Sequence, residues 1–268
     1  MIIVVKIGGD LLADGLPNHL SSELESLVKE HCIVLVHGGG DIVTEISTRL
    51  GHKPRFVTSP RGFRSRYTDR ETVEIYTMVM AGKINKDIVS DLQGRGIQAV
   101  GLSGLDGALV RAKRKKQIIV VNERGRRMLM EGGYTGQVSE INIDLLSLLL
   151  DNGYLPVVSS IAMGEEAEPL NVDGDRIAAN ITVALGADRL ILLTDVGGLT
   201  MGGKTINELR ISEAKDIIDK IGPGMITKVY AAVEAAERGV EEVVITSGFE
   251  EGAISSAIKK QGGTVIKK

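Results

Sequence analysis

Lys6 stands at the end of an apolar run, Ile2 to Val5, and only Ile7 separates it from Gly8 and Gly9. Such a run is typical of a strand buried on both faces, and the paired glycines predict a sharp turn where the strand ends. A lysine supplies a positive charge, and glycines let an anion approach backbone N–H groups. The segment could bind a polyphosphate, although a lysine that only extends to the surface fits the same residues.

A second segment repeats this design. Residues 33–36 form another apolar run, and His37 then leads into Gly38, Gly39 and Gly40. Two buried strands that both end in glycine-rich turns predict one crevice at the carboxyl ends of a parallel sheet, where α/β folds bind ligands. Neither turn matches a Walker A loop or the dinucleotide-binding fingerprint, so each is a weak signal by itself.

Two lysines and one aspartate are the candidates for catalysis. Lys6 and Lys228 could neutralise charge between two anionic ligands, and Asp175 could hold both lysines in place. Asp175 could equally be a first-turn acid that only favours the helix dipole. The set suits phosphoryl transfer, which needs positioning and charge stabilisation rather than covalent help. A carboxylate acceptor is ionised at neutral pH and needs no general base, so we assign His37 a structural role.

The elements that would position these residues alternate between strand and helix patterns. Apolar runs predict strands near 2–5, 33–36, 97–102, 155–159, 190–193, 242–246 and 264–266. Helical spacing predicts helices near 16–31, 41–50, 68–93, 141–152, 171–185, 213–221 and 228–238. Asp41 is the expected N-cap of the second helix, and Thr68 with Glu71 forms an expected capping box. Residues 108–138 predict antiparallel hairpins over the sheet edge. The fold class is α/β, a three-layer αβα sandwich with a mainly parallel central sheet.

Composition narrows the function classes. The chain has 268 residues, of which 43% are hydrophobic and 25% are charged, a composition typical of a globular protein. No linker is apparent, so we expect the two halves of the chain to share one sheet. The single cysteine, Cys32, excludes an internal disulfide and makes a cytoplasmic location the default expectation. With no Trp and 3 Phe, a base-stacking nucleic-acid surface is not expected. No apolar run reaches the roughly 18 residues of a membrane span.

Positive charge is concentrated in two runs. Residues 49–70 contain seven basic residues and one acidic residue, and residues 111–127 contain eight basic residues and one acidic residue. Since the whole chain has a net charge of −3, the remainder is strongly acidic. This asymmetry predicts a positive face on an acidic molecule. Solvated loops without a partner are the alternative.

Seven motifs, in order along nearly the whole chain, resemble the amino acid kinase family, and their pattern is closest to acetylglutamate kinase. They are Lys6–Gly9, His37–Gly40, Arg66–Asp69, Ala81–Lys86, Asn171–Asp175, Leu193–Val196 and Gly224–Lys228. The resemblance implies an amino acid kinase, or carbamate kinase-like, fold spanning residues 1–268. About 1–160 would bind the acceptor and about 161–268 would bind MgATP.

The resemblance also implies roles for individual residues. Lys6 and Lys228 would stabilise the transferring phosphoryl group, and Asp175 would organise them. The acceptor would be held by Gly38, Gly39, Arg66 and Asn171. The nucleotide would be held by Gly8, Gly9, Thr194, Asp195, Gly197, Gly198 and Met225. The cofactors would be ATP and Mg²⁺, and no direct protein ligand of the metal is readable.

One loop departs from ordinary acetylglutamate kinases. Residues 62–72, together with Tyr134-Thr135-Gly136, look like the kinases that act on an amino acid carried by the small acidic protein LysW. Those kinases phosphorylate the side-chain carboxylate of LysW-linked α-aminoadipate or glutamate, in lysine or arginine biosynthesis. A positive face would steer such a carrier. The expected carrier contacts are Arg64, Lys113, Arg114, Lys115, Lys116, Arg124, Arg126 and Arg127.

Several alternatives remain open at this point. A plain acetylglutamate kinase would act on the free acetylated amino acid, and a catalytically silent nucleotide-binding regulator would not need both lysines. Isopentenyl phosphate kinases would place a histidine soon after the glycine loop, where this chain has Asp41 to Thr44. The first strand begins at Ile2, which leaves no room for the extra helix of arginine-inhibited, hexameric acetylglutamate kinases. We therefore expect a homodimer, with no nucleic-acid or membrane partner.

Overall fold

The computed structural model describes residues 1–62, 64–218 and 221–268. Phe63, which belongs to the loop that departs from acetylglutamate kinases, lies outside the described residues. The elements follow one another as β1 (Ile2–Ile7), α1 (Asn18–Leu27), β2 (Cys32–His37), α2 (Gly40–Arg49), β3 (Arg55–Thr58), β4 (Arg64–Tyr67), α3 (Arg70–Thr77), α4 (Asn85–Gly94), β5 (Ala99–Ser103), β6 (Val110–Arg114), β7 (Gln117–Val121), β8 (Arg127–Glu131), β9 (Gly136–Ile141), α5 (Ile143–Asp151), β10 (Leu155–Ser159), β11 (Ile161–Met163), β12 (Pro169–Asn171), α6 (Gly174–Leu185), β13 (Arg189–Thr194), β14 (Thr200–Met201), β15 (Lys204–Thr205), β16 (Glu208–Arg210), α7 (Ile211–Ile217), α8 (Pro223–Glu237), β17 (Glu242–Ser247), α9 (Ala253–Ile258) and β18 (Thr264–Lys267).

An eight-stranded sheet joins the two halves of the chain, in the order β16-β18-β17-β13-β1-β2-β10-β5. Within it, β17 and β18 are antiparallel and the other described neighbours are parallel. Strand β1 lies between β2 from the first half and β13 from the second half. The predicted single, mainly parallel sheet is confirmed, and the carboxyl ends of β1, β2 and β13 meet at one edge.

Alternation along β1 explains the three layers. Val4 packs into the core beneath α5, α6 and α8, whereas Ile3 and Val5 pack into the core beneath α1, α4 and α9. Successive side chains of a strand point to opposite faces, so both faces of this apolar strand are buried. Lys6 has the parity of Val4 and therefore lies on the face that α6 and α8 cover.

Two four-stranded sheets flank the central sheet, with orders β12-β11-β6-β9 and β4-β3-β7-β8. They contain the antiparallel hairpins that residues 108–138 predict. We call the second of them the hairpin sheet, because it consists of the β3–β4 and β7–β8 hairpins. The two basic runs of the sequence each contribute one of these hairpins, so distant parts of the chain share one sheet.

The helix that follows β4 is continuous but not uniform. Between α3 and α4, residues Met78–Ile84 form a π-helical segment.

Two predicted helix starts are wrong by one or two residues. Gly39, not Asp41, is the N-cap of α2. Asp69 is the N-cap of α3 and accepts from the Thr72 amide, since Thr68 is buried and its hydroxyl donates to the Arg66 carbonyl.

Other boundaries also differ from the expectation. Helix α8 begins at Pro223, which places Lys228 in its second turn rather than at its start. The short elements β11, β12, β14, β15, β16 and α9 were not predicted, because segments of two to six residues show little periodicity. In the described part of the chain, no helix has the length and apolar character needed to cross a bilayer.

Candidate active site

Strand register brings the predicted residues to one edge. In the ladder, Lys6 is paired with Val36 on β2 and with Leu192 on β13, and Ile7 is paired with His37. Thr194 ends β13 and is paired with Ser247 at the end of β17. The glycine turns that follow β1 and β2 therefore lie side by side, as two buried strands with equivalent ends predict.

Lys6, Asp175 and Lys228 meet at this edge. Lys6 Nζ lies 2.7 Å from Asp175 Oδ1, and Lys228 Nζ lies 3.8 Å from Asp175 Oδ2. Lys6 is 6% exposed and Asp175 is 3% exposed, so the pair is shielded from water. Asp175 is in the first turn of α6 and Lys228 is in α8, the two helices that cover this face of β1. The structure thus brings together all three predicted catalytic residues.

The ionisation of this cluster follows from its packing. Burial alone would raise the pKa of Asp175, but Lys6 and then Lys228 outweigh burial and hold that pKa below its usual value. Burial also opposes the charge on Lys6, yet Asp175 raises the pKa of Lys6 above its ordinary value. Both side chains are charged at neutral pH. The cluster can present positive charge to an anion at the sheet edge.

The glycine turns approach each other so closely that side chains are excluded. A Cβ added to Gly9 would lie 2.9 Å from the Gly39 nitrogen and 3.3 Å from the Gly40 nitrogen. Gly39 has a φ of 148°, which favours glycine, and a Cβ there would overlap the Ile84 side chain. These distances show that the two turns pack backbone against backbone, which only glycine permits at positions 9 and 39.

The backbone hydrogen bonds decide which amides are available. Gly8 donates to Leu193 O and Gly38 donates to Ile7 O, so both amides extend the sheet. Among the described residues, the amides of Gly9, Gly39 and Gly40 have no hydrogen-bond acceptor. The last two belong to the N-terminal end of α2, where the helix dipole also favours an anion. Gly9, Gly39 and Gly40 are the stronger candidates for anion binding.

Arg66 reaches the same turn from the hairpin sheet. Its Nη2 donates to Gly40 O at 2.7 Å and to Thr44 Oγ1 at 2.8 Å. Its Nη1 is buried, and no described group accepts from it. A buried guanidinium nitrogen without an acceptor is costly, and an incoming carboxylate would satisfy it. Arg66 therefore suits an acceptor with a carboxylate.

Asn171 is anchored beside Arg66 through Thr68 and Tyr134. Its Nδ2 donates to Thr68 Oγ1 at 3.0 Å, and its amide donates to Tyr134 O at 2.9 Å. The Tyr134 amide in turn donates to Thr68 O at 2.6 Å. The guanidinium of Arg114 stacks 4.1 Å from the centre of the Tyr134 ring. These contacts place Tyr134 and Arg114 next to Asn171, a residue predicted to hold the acceptor.

Apart from Gly8 and Gly9, the residues predicted for the nucleotide belong to the second half of the chain. Thr194 Oγ1 donates to Asp195 Oδ1 at 2.9 Å, and Asp195 and Gly197 are exposed. Gly198 is buried with a φ of 143°, and a Cβ there would lie 2.8 Å from Thr264 Oγ1. Gly198 is therefore explained by packing against β18 as well as by a nucleotide. Met225 is half-buried in the first turn of α8.

One acidic residue that the sequence analysis did not assign, Asp10, lies near Lys228. Burial, followed by the neighbouring carboxyls of Asp41 and Asp195, raises the pKa of Asp10. Asp10 directly follows the Gly8-Gly9 turn, so its position in the sequence could have drawn attention to it. Thr227 was also missed, and its Oγ1 lies 3.4 Å from Asp175 Oδ2. Within the described residues, no group of three His, Cys, Asp or Glu side chains is arranged to hold a metal ion.

His37 is fully buried at the end of β2. Because burial shifts its pKa, we expect the free energy of unfolding to depend on pH. Burial, helped by the charges of Lys6 and Lys86, lowers the pKa of His37 from 6.5 to about 4. Between these values the unfolded state binds more protons than the folded state, so stability rises with pH across that window. We expect the free energy of unfolding to fall by about 3 kcal/mol from pH 6.5 to pH 4 through this residue.

Urea unfolding of wild type and His37→Asn across this pH range measures that contribution. Other carboxylates titrate in both proteins, so the difference between the two pH slopes isolates His37. Equal slopes would contradict the expectation.

The predicted carrier residues are exposed, apart from half-buried Arg114. Thr58 on β3 is paired with Arg64 on β4 and with Val121 on β7, and Val121 is paired with Arg127 on β8. Residues in one such row point to one face of a sheet, so Arg64 and Arg127 share a face. Arg66, two residues after Arg64, has the same parity and reaches Gly40. The shared face therefore continues into the glycine turns.

Comparisons with known proteins agree with this geometry. The sequence profile described as the amino acid kinase family matches residues 1–247. A putative [LysW]-aminoadipate/[LysW]-glutamate kinase of Cenarchaeum symbiosum (strain A) is 51% identical over 265 residues, which are 99% of each chain. The [LysW]-aminoadipate/[LysW]-glutamate kinase of Saccharolobus solfataricus (strain P2) is 48% identical over 266 residues, also 99% of each chain.

A solved structure supports the fold. The N-acetylglutamate synthase of Neisseria gonorrhoeae superposes with a TM-score of 0.82 at 24% identity, over 100% of this chain and 59% of that one. The full-length relatives and the matching profile confirm the family resemblance that the seven motifs indicated. The chain belongs to the amino acid kinase family, and it is an ATP-dependent phosphotransferase.

Proposed function

We propose that the protein phosphorylates the side-chain carboxylate of α-aminoadipate or glutamate carried by LysW, in lysine or arginine biosynthesis. A carboxylate oxygen attacks the γ-phosphorus of ATP, the bond to the β–γ bridging oxygen breaks, and ADP leaves with that electron pair. The product is an acyl phosphate. No proton needs to move, because the acceptor is already ionised at neutral pH.

The observation that carries the phosphoryl-transfer part is the buried Lys6–Asp175–Lys228 cluster beside the amides of Gly9, Gly39 and Gly40. Charge on the transferred group is spread over its three outer oxygens in the transition state. Preorganised cations and N–H groups stabilise that charge without reorganising during the reaction. A protein that only bound a nucleotide would have no use for both lysines.

The roles of the remaining residues follow from their position along the sheet edge. Residues 1–160 would hold most of the acceptor and residues 161–268 would hold ATP. The main acceptor contacts would be Arg66 from the first half and Asn171, which the second half contributes. Mg²⁺ would enter with the ATP phosphates and neutralise their charge. The phosphate oxygens of ATP would be its main ligands, since no described cluster of three acidic side chains is arranged to hold it.

Basic residues on and next to the hairpin sheet support the assignment of an acidic carrier protein as partner. We call Arg64, Lys113, Lys116, Arg124, Arg126 and Arg127 the basic surface. Arg64 and Arg127 share a face with Arg66, so a protein seated there could present its amino acid directly to the glycine turns. A free acetylated amino acid would have no use for this surface. Relatives with 48–51% identity are named for a LysW-linked substrate.

The experiment that tests the proposal compares three acceptors under saturating MgATP: LysW-aminoadipate, LysW-glutamate and free N-acetylglutamate. The acyl phosphate is trapped with hydroxylamine. We expect turnover with the carrier-linked acceptors, and kcat/KM should fall as salt is raised because exposed charges are screened. Comparable kcat/KM with free N-acetylglutamate would overturn the carrier assignment in favour of an acetylglutamate kinase.

Charge reversal on the basic surface should weaken carrier-linked turnover selectively. For Arg64→Glu combined with Arg127→Glu we expect kcat/KM for the carrier-linked acceptor to fall roughly 10- to 100-fold, with the KM for ATP unchanged. Steady-state kinetics in both substrates measures this. Reversal of Lys29 and Lys259, which are exposed outside the hairpin sheet, is the matched control. An equal loss in the control would contradict specific docking.

The proposal also includes a homodimer in the cytoplasm. Strand β5 is an edge of the eight-stranded sheet, and Leu148 and Tyr154 near it are large, exposed apolar side chains. An unpaired strand edge beside exposed apolar groups suits pairing with a second chain. Light scattering after size exclusion tests the dimer, and a monomer mass at micromolar concentration would contradict it.

A further inference from the structure

A buried polar network lies behind the glycine turns, and the roles proposed above do not use it. His37 and Asn85 are both fully buried, and Asn85 Nδ2 lies 3.2 Å from His37 Nε2. His37 Nδ1 lies 2.9 Å from the carbonyl oxygen of Gly38. Buried polar groups of this kind are kept only when each one is satisfied, so the network has a defined arrangement.

The orientation of the Asn85 amide is fixed by its other neighbours. Its Nδ2 donates to Val157 O at 2.9 Å, with Leu102 O farther away at 3.4 Å, and its Oδ1 accepts from Lys86 Nζ at 2.9 Å. The nitrogen of the amide, rather than its oxygen, therefore faces His37. An amide nitrogen can only donate, so Nε2 of His37 must be the acceptor.

This fixes the tautomer of His37. With Nε2 as an acceptor, a neutral imidazole carries its proton on Nδ1, and Nδ1–H donates to Gly38 O. The peptide bond is planar, so the Gly38 carbonyl and the Gly39 N–H belong to one rigid unit and point in opposite directions. Holding the carbonyl therefore also aims the Gly39 N–H, which is one of the available amides of the anion site.

We propose that His37 is a positioning residue for phosphoryl transfer. Asn85 holds it in the Nδ1–H tautomer, and through Gly38 O it orients the Gly39 amide toward the transferred phosphoryl group. This inference rests on the proposed function, because it needs that group to lie against the glycine turns. The low pKa of His37 supports it, since a neutral ring keeps one acceptor and one donor at working pH.

Two irregular features near the network are consistent with this role. The π-helical segment ends at Ile84, directly before Asn85, and π segments inside helices are frequent at functional sites. Gly101 on β5 lies against Asn85, and a Cβ there would overlap the amide oxygen and crowd Lys86 Nζ. The absence of a side chain at position 101 thus leaves the space that the Asn85 amide occupies.

A pair of substitutions separates positioning from packing. In His37→Asn the amide nitrogen takes the place of Nδ1 and can still donate to Gly38 O. In His37→Gln the amide takes the place of Nε2, reaches Asn85 and fills more of the cavity, but it cannot hold Gly38. We expect His37→Gln to lower kcat roughly 10- to 100-fold and His37→Asn to lower it less, with KM values changing less than kcat.

A purely structural role predicts the reverse order, because Gln is closer to His in volume. Equal or greater kcat loss in His37→Asn would therefore overturn the proposal, as would wild-type kcat in both variants. Ser21→Ala, which removes a buried hydroxyl that donates to Asp91 on α4, is the control for loss of stability without loss of kcat. Thermal unfolding of each variant shows that the compared proteins are folded.

The tautomer itself gives a readout that does not depend on turnover. Nitrogen-15 NMR of the histidine side chains in the wild-type protein should show His37 neutral and protonated on Nδ1, with His37→Asn identifying its signals. Protonation on Nε2 would overturn the proposal. The two proposals can fail separately. If the wild type acts only on free N-acetylglutamate, the carrier assignment is wrong, but kcat of the His37 variants can still be measured with that acceptor.

Discussion

Asp175→Asn should lower kcat on the order of 10³-fold, as measured by trapping the acyl phosphate under saturating ATP and acceptor. The substitution keeps the shape of the side chain and removes a carboxylate that both Lys6 and Lys228 contact. Burial would then lower the pKa of Lys6, and the two ammonium groups would repel each other. The transition state would lose positioned positive charge.

The same substitution should also cost stability. Removing one partner of a buried ion pair leaves an uncompensated charge, which typically costs about 3–5 kcal/mol of unfolding free energy. Asp173→Asn is the matched control, since it removes a negative charge two residues earlier and Asn can still cap α6. We expect its kcat to stay within several-fold of wild type. Similar losses in the two variants would contradict a specific role for Asp175.

Gly9→Ala should lower kcat by roughly 10²- to 10³-fold with a modest loss of stability. The new methyl would lie 2.9 Å from the Gly39 nitrogen and 3.1 Å from the Gly39 Cα, and neither backbone atom can move without separating the two turns. It would also crowd the Gly39 and Gly40 nitrogens, whose amides have no acceptor among the described residues. Steady-state kinetics, with urea unfolding alongside, measures both effects.

Gly94→Ala controls for the change from glycine to alanine. Gly94 ends α4, and a Cβ there meets nothing within 4 Å. We expect unchanged kcat and equal or higher stability, because alanine is the better helix former. Wild-type kcat in Gly9→Ala would show that the two turns can separate freely, which would contradict the anion site proposed for them.

Much of the geometry of the candidate site was predictable because it depends on where strands end. An apolar run with a lysine at its end and a glycine turn after it specifies both the buried strand and the edge where the lysine lies. The parity of β1 then places Lys6 on the side of Val4, where α6 and α8 pack. Asp175 and Lys228 lie near the starts of α6 and α8, as their sequence motifs indicated, and this brings both side chains to the same edge as Lys6.

The details that sequence could not predict depend on contacts between distant segments. Gly8 and Gly9 look equivalent in the chain, but the Gly8 amide is taken by Leu193 O and the Gly9 amide is not. The capping box at Thr68 failed because Thr68 turns inward to Asn171, which lies far along the chain. The meeting of the two basic runs in one sheet likewise depends on strand pairing between residues that local patterns do not connect.

The central position of β1 has a consequence for how the chain folds. Its neighbour β2 follows soon after it, whereas its other neighbour, β13, begins only at Arg189. During synthesis one edge of this apolar strand stays open until most of the chain has emerged, and open edges can pair with other chains. The pairing that closes this edge requires β13, which directly follows α6, the helix that carries Asp175 to Lys6. A nascent chain therefore acquires its central charge cluster only after that late segment has emerged.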